Sequence, residues 1–357
     1  MQRALYDPAH GYYASGRAAV GREGDFFTSV SVGPLFGALL ARQFEEVWKR
    51  LGSPALFSII EQGAHHGDLA RDILSALENT APDCFAAAQL HIIDPFPAQR
   101  DAQQRTLGPL CSKTRWLEHL DQLQPFTGVF YANELLDAFP VERVRWSGSH
   151  WEQLHVDLKD DTFVWTGVRS QDPVLLASIE HLPRNLPSGF TTELHLEACT
   201  WMRQAAARLA NGVLLLIDYG YTRSEYYRPE RHEGTLTGYR AHQQTRDILA
   251  NPGTMDLTAH VEFTTLAETA EQAGLRVHGF CPQHQFLVGV SPLHFPPQLE
   301  PGPETDRDLR AFKTLMHPSM LGASFKVLCL EKSPLPPLSG FRFGGNPRAN
   351  LELRVSE

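Results

Sequence analysis

Short apolar runs alternate along the chain with stretches of helical periodicity, the pattern that βαβ units on a parallel sheet produce. Ala55–Ile60 is the first strand candidate. It runs into the polar, glycine-bearing segment Glu61-Gln-Gly-Ala-His-His-Gly67, after which Leu69, Ile73 and Leu77 recur at four-residue spacing and predict a helix with one apolar face. Leu90–Ile93, ending at Asp94, Val129–Ala132, ending at Asn133-Glu134, and Val213–Ile217, ending at Asp218-Tyr-Gly220, read as three further strands. A helix over about 194–209 carries Ala198, Trp201, Met202, Ala205 and Leu209 inward, with Asn211-Gly212 as its stop. Gln285–Val290 and Phe325–Leu330 read as two last strands paired in an antiparallel hairpin.

The fold class predicted is α/β, a mostly parallel sheet with helices on both faces. Residues 1–53 form an N-terminal cap, and the core spans 54–146 and 191–332. It is interrupted by a β-rich insertion at 147–190 and a polar, Gly/Pro-punctuated insertion at 221–262 on the substrate side. Residues 333–357 read as a loosely ordered tail.

Composition changes this picture only by exclusion. The 357 residues are 42% hydrophobic and 20% charged, enough for a proper core, and the formal net charge of −9 argues against a nucleic-acid backbone binder. Five scattered cysteines show no metal-ligand or disulfide spacing, and no apolar run reaches the roughly 18 residues of a membrane span.

Candidate chemistry follows from the strand ends. In open α/β sheets ligands bind beyond the carboxyl ends of the strands, so Glu61, Gly63, Gly67, Asp94, Asn133 and Glu134 are the residues to watch. Glycines let the backbone approach a ligand closely, and an acid after the second strand can accept both hydroxyls of a ribose. Asp94 lies further along than the roughly 20 residues expected in a dinucleotide fold, and no Gly-x-Gly-x-x-Gly occurs. An acid at the start of the glycine loop suits the amino group of a methionine moiety.

Several motifs together resemble the MidA-type family, that of the mitochondrial complex I assembly methyltransferase. They are Ala4-Leu-Tyr-Asp-Pro-Ala-His-Gly-Tyr-Tyr13, Gly24-Asp-Phe-Phe-Thr-Ser29, Glu61-Gln-Gly-Ala and Gly67-Asp-Leu-Ala-Arg-Asp-Ile-Leu74. Asn133-Glu-Leu-Leu-Asp-Ala-Phe-Pro-Val141, Ile217-Asp-Tyr-Gly-Tyr221, Gly234-Thr-Leu236, Asn251-Pro-Gly253 and Asp256-Leu-Thr-Ala-His-Val-Glu-Phe263 continue the series in order, with Met320-Leu-Gly322 and Phe325-Lys326 last. The resemblance implies a class I methyltransferase fold using S-adenosylmethionine, without a metal. In the mitochondrial member it implies symmetric dimethylation of an arginine on a complex I subunit. It implies cofactor contacts from Glu61, Gly63, His65, Gly67, Asp94, Asn133, Asp25, Thr28 and Ser29, and catalytic roles for Glu134, Asp137, Asp256 and His260.

Arginine methylation needs carboxylates that hold a guanidinium, a role that suits Glu134 with Asp137. His260 could orient the substrate or accept a proton near neutral pH. The implied partner is an arginine-bearing protein, with no nucleic acid and no membrane span, and a homodimer is compatible with this. The compartment would be the cytoplasm in a bacterium or the mitochondrial matrix in a eukaryote.

One departure stands out. The family's Glu-x-Gly-x-Gly-x-Gly loop carries His65 at its middle glycine, followed by His66. The imidazole either contacts the cofactor in an altered loop, or weakens binding, or points to solvent. Asp94 stands where the family more often has Glu. Two rival functions stay open: methylation of a small molecule, and a cofactor-poor assembly factor that binds its partner through Thr222–Val261.

Overall fold

The computed structural model describes residues 1–13, 28–183, 185–240, 243–298, 300, 302–317 and 321–353. In chain order its strands are β1 (Phe57–Gln62), β2 (Ala88–Ile93), β3 (Thr114–Leu117), β4 (Phe126–Asn133), β5 (Glu142–Trp146), β6 (Trp151–Lys159), β7 (Thr162–Val168), β8 (Thr191–Leu194) and β9 (Leu209–Tyr221). Then follow β10 (Thr237–Arg240), β11 (Gln243–Thr245), β12 (Asp256–Thr258), β13 (Val261–Glu262), β14 (Arg276–Pro282) and β15 (Phe325–Glu331). The chain divides into two units. One comprises Phe27–Leu135, Met202–Tyr219 and Leu266–Glu357; the other comprises Met1–Phe26, Leu136–Trp201 and Gly220–Thr265.

The first unit is built on the sheet β14-β15-β9-β4-β1-β2-β3. β1 runs parallel to β2 and β4, β2 to β3 and β4 to β9, while β15 is antiparallel to both β9 and β14. Strand order reverses at β1, with β2 on one side and β4 on the other, so the carboxyl ends of β1 and β4 flank the switch point where such sheets bind ligands. One face of the sheet packs Ile59, Leu90, Val129, Leu215 and Val327 against Phe36, Leu40 and Phe44 of the helix Leu35–Arg50 and Ile73 of the helix Asp68–Thr80. Residues of opposite parity (Phe130, Ala132, Leu214, Leu216, Leu328) are buried as well. Burial on both faces is why these strands read as continuous apolar runs.

Three expectations are corrected here. Gln285–Val290 is not a strand but part of the helix Gln283–His294, and β14 is the partner of β15. Phe286, Leu287 and Val290 are buried at helical spacing, and a short apolar run does not by itself distinguish the two structures. Asn211-Gly212 does not terminate a helix. The preceding helix ends at Arg208 and the pair lies within β9, where the register against β4 shifts. Residues 333–353 are not a loose tail: Leu338, Leu351 and Leu353 are buried, and Asn346 caps the short helix Pro347–Asn350 with its side chain.

The other unit holds the sheet β7-β6-β5-β8, the smaller sheet β11-β10-β12, and the first helix, Gln2–Tyr6. Leu5 and Tyr12 pack with Leu236, Met255 and Leu257. Asp160 and Asp161, both at positive φ, close the β6–β7 hairpin.

Candidate active site

Glu61, near the end of β1, is buried. Burial pushes its carboxyl up to about 8, opposed by the neighbouring Tyr131 hydroxyl and reinforced by Asp68. Neither Glu61 Oε2 nor the Tyr131 hydroxyl makes a hydrogen bond of good geometry among the described residues, although the hydroxyl is near enough to oppose that shift. Asn133 at the end of β4 resembles it: Nδ2 donates to Glu134 Oε1 at 2.9 Å, while Oδ1 is buried without a partner among the described residues. Two acceptor oxygens are therefore withdrawn from water and left open at adjacent strand ends, which is costly unless a donor arrives.

The loop after β1 turns through Ala64–Gly67, with Gly67 N donating to Ala64 O at 2.7 Å. Gly63 has φ +83°, and a Cβ there would come within 3.1 Å of Leu135 Cδ1, so glycine serves both conformation and space. His65 adopts φ +46°, a left-handed position where His is tolerated better than most side chains. Its ring lies 3.8 Å from that of His66, which is exposed, while His65 is half-buried.

Asp94, just beyond β2, accepts from Phe96 N at 2.9 Å on Oδ1 and from Gln103 Nε2 at 2.8 Å on Oδ2. Burial raises its pKa against the pull of these donors and of Arg100. Glu134 stands at φ +53°, with its N–H donating to Ile217 O at 2.9 Å. A non-glycine residue held in this conformation at a strand end is a functional-site signal.

These arrangements place acceptors at the carboxyl ends of β1, β2 and β4. Glu61 and Asn133 suit an ammonium, Asp94 a pair of hydroxyls, and Glu134 a second cation. A family described as "Putative S-adenosyl-L-methionine-dependent methyltransferase" matches residues 39–281. The chain belongs to this family. S-adenosylmethionine is its cofactor, and the open oxygens of Glu61 and Asn133 fit the cofactor's amino group.

Among solved structures, one from Burkholderia thailandensis bound to S-adenosyl-homocysteine is 29% identical, covers 98% of this chain and 90% of its own, and has a TM-score of 0.87. Among curated relatives, the mitochondrial protein arginine methyltransferase NDUFAF7 homologue of Drosophila melanogaster is 28% identical over 92% of this chain and 80% of its own. The mitochondrial protein arginine methyltransferase NDUFAF7 of Homo sapiens is 27% identical over 98% and 82% respectively.

The remaining expected site residues fall elsewhere. Thr28 and Ser29 are buried in the same unit as the strand ends, but their hydroxyls engage Ser31 (3.1 Å) and Gln283 (3.2 Å). Asp25 lies outside the described residues. Asp137, Asp256 and His260 belong to the other unit. Asp137 O accepts from Ala259 N at 2.9 Å, and Asp256 Oδ1 accepts from the Tyr13 hydroxyl at 2.7 Å. Tyr13 lies 5.6 Å from Tyr6, whose hydroxyl donates to Ala138 O, so a tyrosine pair links the two acidic segments.

His260 stacks on Tyr221 (5.1 Å, 22°), and its backbone N–H donates to Thr235 Oγ1. Burial, then Arg231, lowers its pKa to about 4, which favours the neutral imidazole near pH 7. Among the described residues no helix is long and apolar enough to cross a membrane.

Two polar residues in these networks escaped the sequence reading. Gln103 ties the loop after β1 to Asp94. Glu193, on β8 in the second unit, is fully buried: Oε2 accepts from Thr235 N (2.8 Å), Thr235 Oγ1 (3.2 Å) and the Tyr226 hydroxyl (3.1 Å), and Oε1 accepts from Leu236 N (3.3 Å). The Gly234-Thr-Leu236 motif was the available signal for Glu193, since its backbone wraps that carboxylate.

Proposed function

We propose that the chain transfers the methyl group of S-adenosylmethionine to an arginine of a partner protein. The observation that carries this reading is Glu134, a half-buried carboxylate held in a left-handed backbone beside the switch point, with the Asn133 amide fixing one oxygen. The names of the relatives support the same substrate class.

When bound, the cofactor supplies an electrophilic methyl on a sulfonium. Glu61 and Asn133 accept from its ammonium, and Asp94 accepts from its ribose hydroxyls. Glu134 accepts from the substrate guanidinium, removing its rotational freedom so that one terminal nitrogen can be presented for displacement. Asp137, Asp256 and neutral His260 are assigned to substrate orientation by hydrogen bonding. The partner fixes the compartment: the mitochondrial matrix in a eukaryote, the cytoplasm in a bacterium.

The test is mass spectrometry of complex I subunits incubated with the enzyme and isotope-labelled cofactor. Glu134→Gln should lower arginine methylation at least about tenfold, the effect of losing one charge-assisted restraint, while leaving cofactor affinity unchanged. Equal methylation by both proteins removes Glu134 from the mechanism. Cofactor binding with no methylated arginine favours a small-molecule acceptor.

A further inference from the structure

The helix Pro97–Leu107 is polar along its length, and only Gln103 and Leu107 are buried on it. The four-residue spacing of that pair is where two apolar residues would normally pack. An amide occupies the first position instead, with no exposure to solvent, and it is engaged at both ends. Nε2 donates to His65 O at 2.9 Å and to Asp94 Oδ2 at 2.8 Å, while Oε1 accepts from the Trp116 indole N–H, on β3, at 2.9 Å. An indole nitrogen can only donate, so the amide orientation is determined: both N–H bonds point at the loop after β1 and the acid after β2.

We propose that Gln103 is a positioning residue of the cofactor site, joining the glycine loop to Asp94 through a single amide. This rests on the assignment of Asp94 to the ribose. Asp94 reaches one methylene less far than a glutamate, and clamping both its oxygens, by Phe96 N and Gln103 Nε2, fixes where the remaining lone pairs point. The same amide holds the carbonyl of His65, the loop residue with a left-handed backbone where glycine would be at ease. Gln103 thus holds the loop after β1 and the acid after β2 in one arrangement.

Calorimetric titration of the full chain with S-adenosylmethionine and with S-adenosylhomocysteine tests this, alongside thermal unfolding of each ligand-free variant. Gln103→Met keeps the volume and removes the donors, and should weaken both ligands about tenfold. Gln103→Glu keeps the acceptor for Trp116 but sets a carboxylate against Asp94 and the His65 carbonyl, and should weaken them further. Gln103→Asn keeps the amide but withdraws it, and should fall between wild type and Gln103→Met; it serves if the others fold poorly. In an Asp94→Ala background, Gln103→Met should weaken binding less than it does in wild type, since only its hold on the His65 carbonyl remains to be lost. Wild-type affinity in Gln103→Met and Gln103→Asn overturns the proposal. So does an equal loss with and without Asp94, which would make Gln103 a strut for the fold alone. Asp94→Ala binding as tightly as wild type overturns the ribose assignment, and the proposal with it.

Discussion

Two buried glutamates, one in each unit, are made to do opposite things. Glu193 is surrounded by donors: a tyrosine hydroxyl, a threonine hydroxyl and two backbone N–H groups, with Arg143 Nε at 3.9 Å. Glu61 is equally removed from water, yet Oε2 has no partner among the described residues, and burial raises its pKa. A satisfied acid holds its own surroundings together. An acid left open at a strand end is a candidate binding group for a donor from outside the chain. Substitutions at the two positions should therefore separate stability from ligand affinity.

The largest effect is expected at Glu193. Glu193→Ala leaves four donors and a guanidinium facing a void and should lower unfolding free energy by about 3–5 kcal/mol, measured by denaturant titration. A loss under about 1 kcal/mol would mean that the surroundings rearrange or that water replaces the carboxylate. Gly234→Ala should follow, at roughly 2 kcal/mol or more, because its φ is +77° and a Cβ would sit 2.1 Å from Glu193 Oε1. Ligand-free Glu61→Gln should be more stable than wild type at pH 7, because the wild-type carboxyl stays mostly protonated in the folded chain while the unfolded chain ionises it, and an amide carries no such penalty; a thermal melt reports this.

The smallest effect belongs to His65→Gly. Relief of its left-handed backbone should raise stability by up to about 1 kcal/mol, read as a small rise in Tm. Tighter cofactor binding in the same variant would show that the imidazole crowds the loop, and weaker binding that it contributes a contact.

What could be read from the sequence tracks the range of the forces involved. β1, β2, β4 and β9 were visible because strands buried on both faces need uninterrupted apolar residues, and the acids at their ends stood out against those runs. β14 was missed because Arg276-Val-His-Gly-Phe-Cys-Pro282 mixes polar and apolar positions around a bulge, while the apolar run just after it belongs to a helix. Gln103 and Glu193 were not legible. Each is a lone polar residue whose meaning lies in partners from other elements, and neither periodicity nor propensity records them. The weak basicity of His260 was hidden for the same reason: its burial and its nearness to Arg231 are tertiary facts.

The central claim, that the strand ends at β1 and β4 receive the cofactor's ammonium on Glu61, has a proton signature. A carboxyl raised from 4.5 to about 8 in the folded state stays protonated where the unfolded chain ionises. Its contribution therefore makes the ligand-free protein less stable as pH rises from about 4.5 to about 8. An arriving ammonium favours the carboxylate, so S-adenosylmethionine should expel that proton. Calorimetric titration at pH 7 in two buffers of different ionisation enthalpy measures it. Wild type should release close to one proton more than Glu61→Gln, which should also bind about 10–100-fold more weakly. Equal proton release and equal affinity in the two proteins would contradict the assignment.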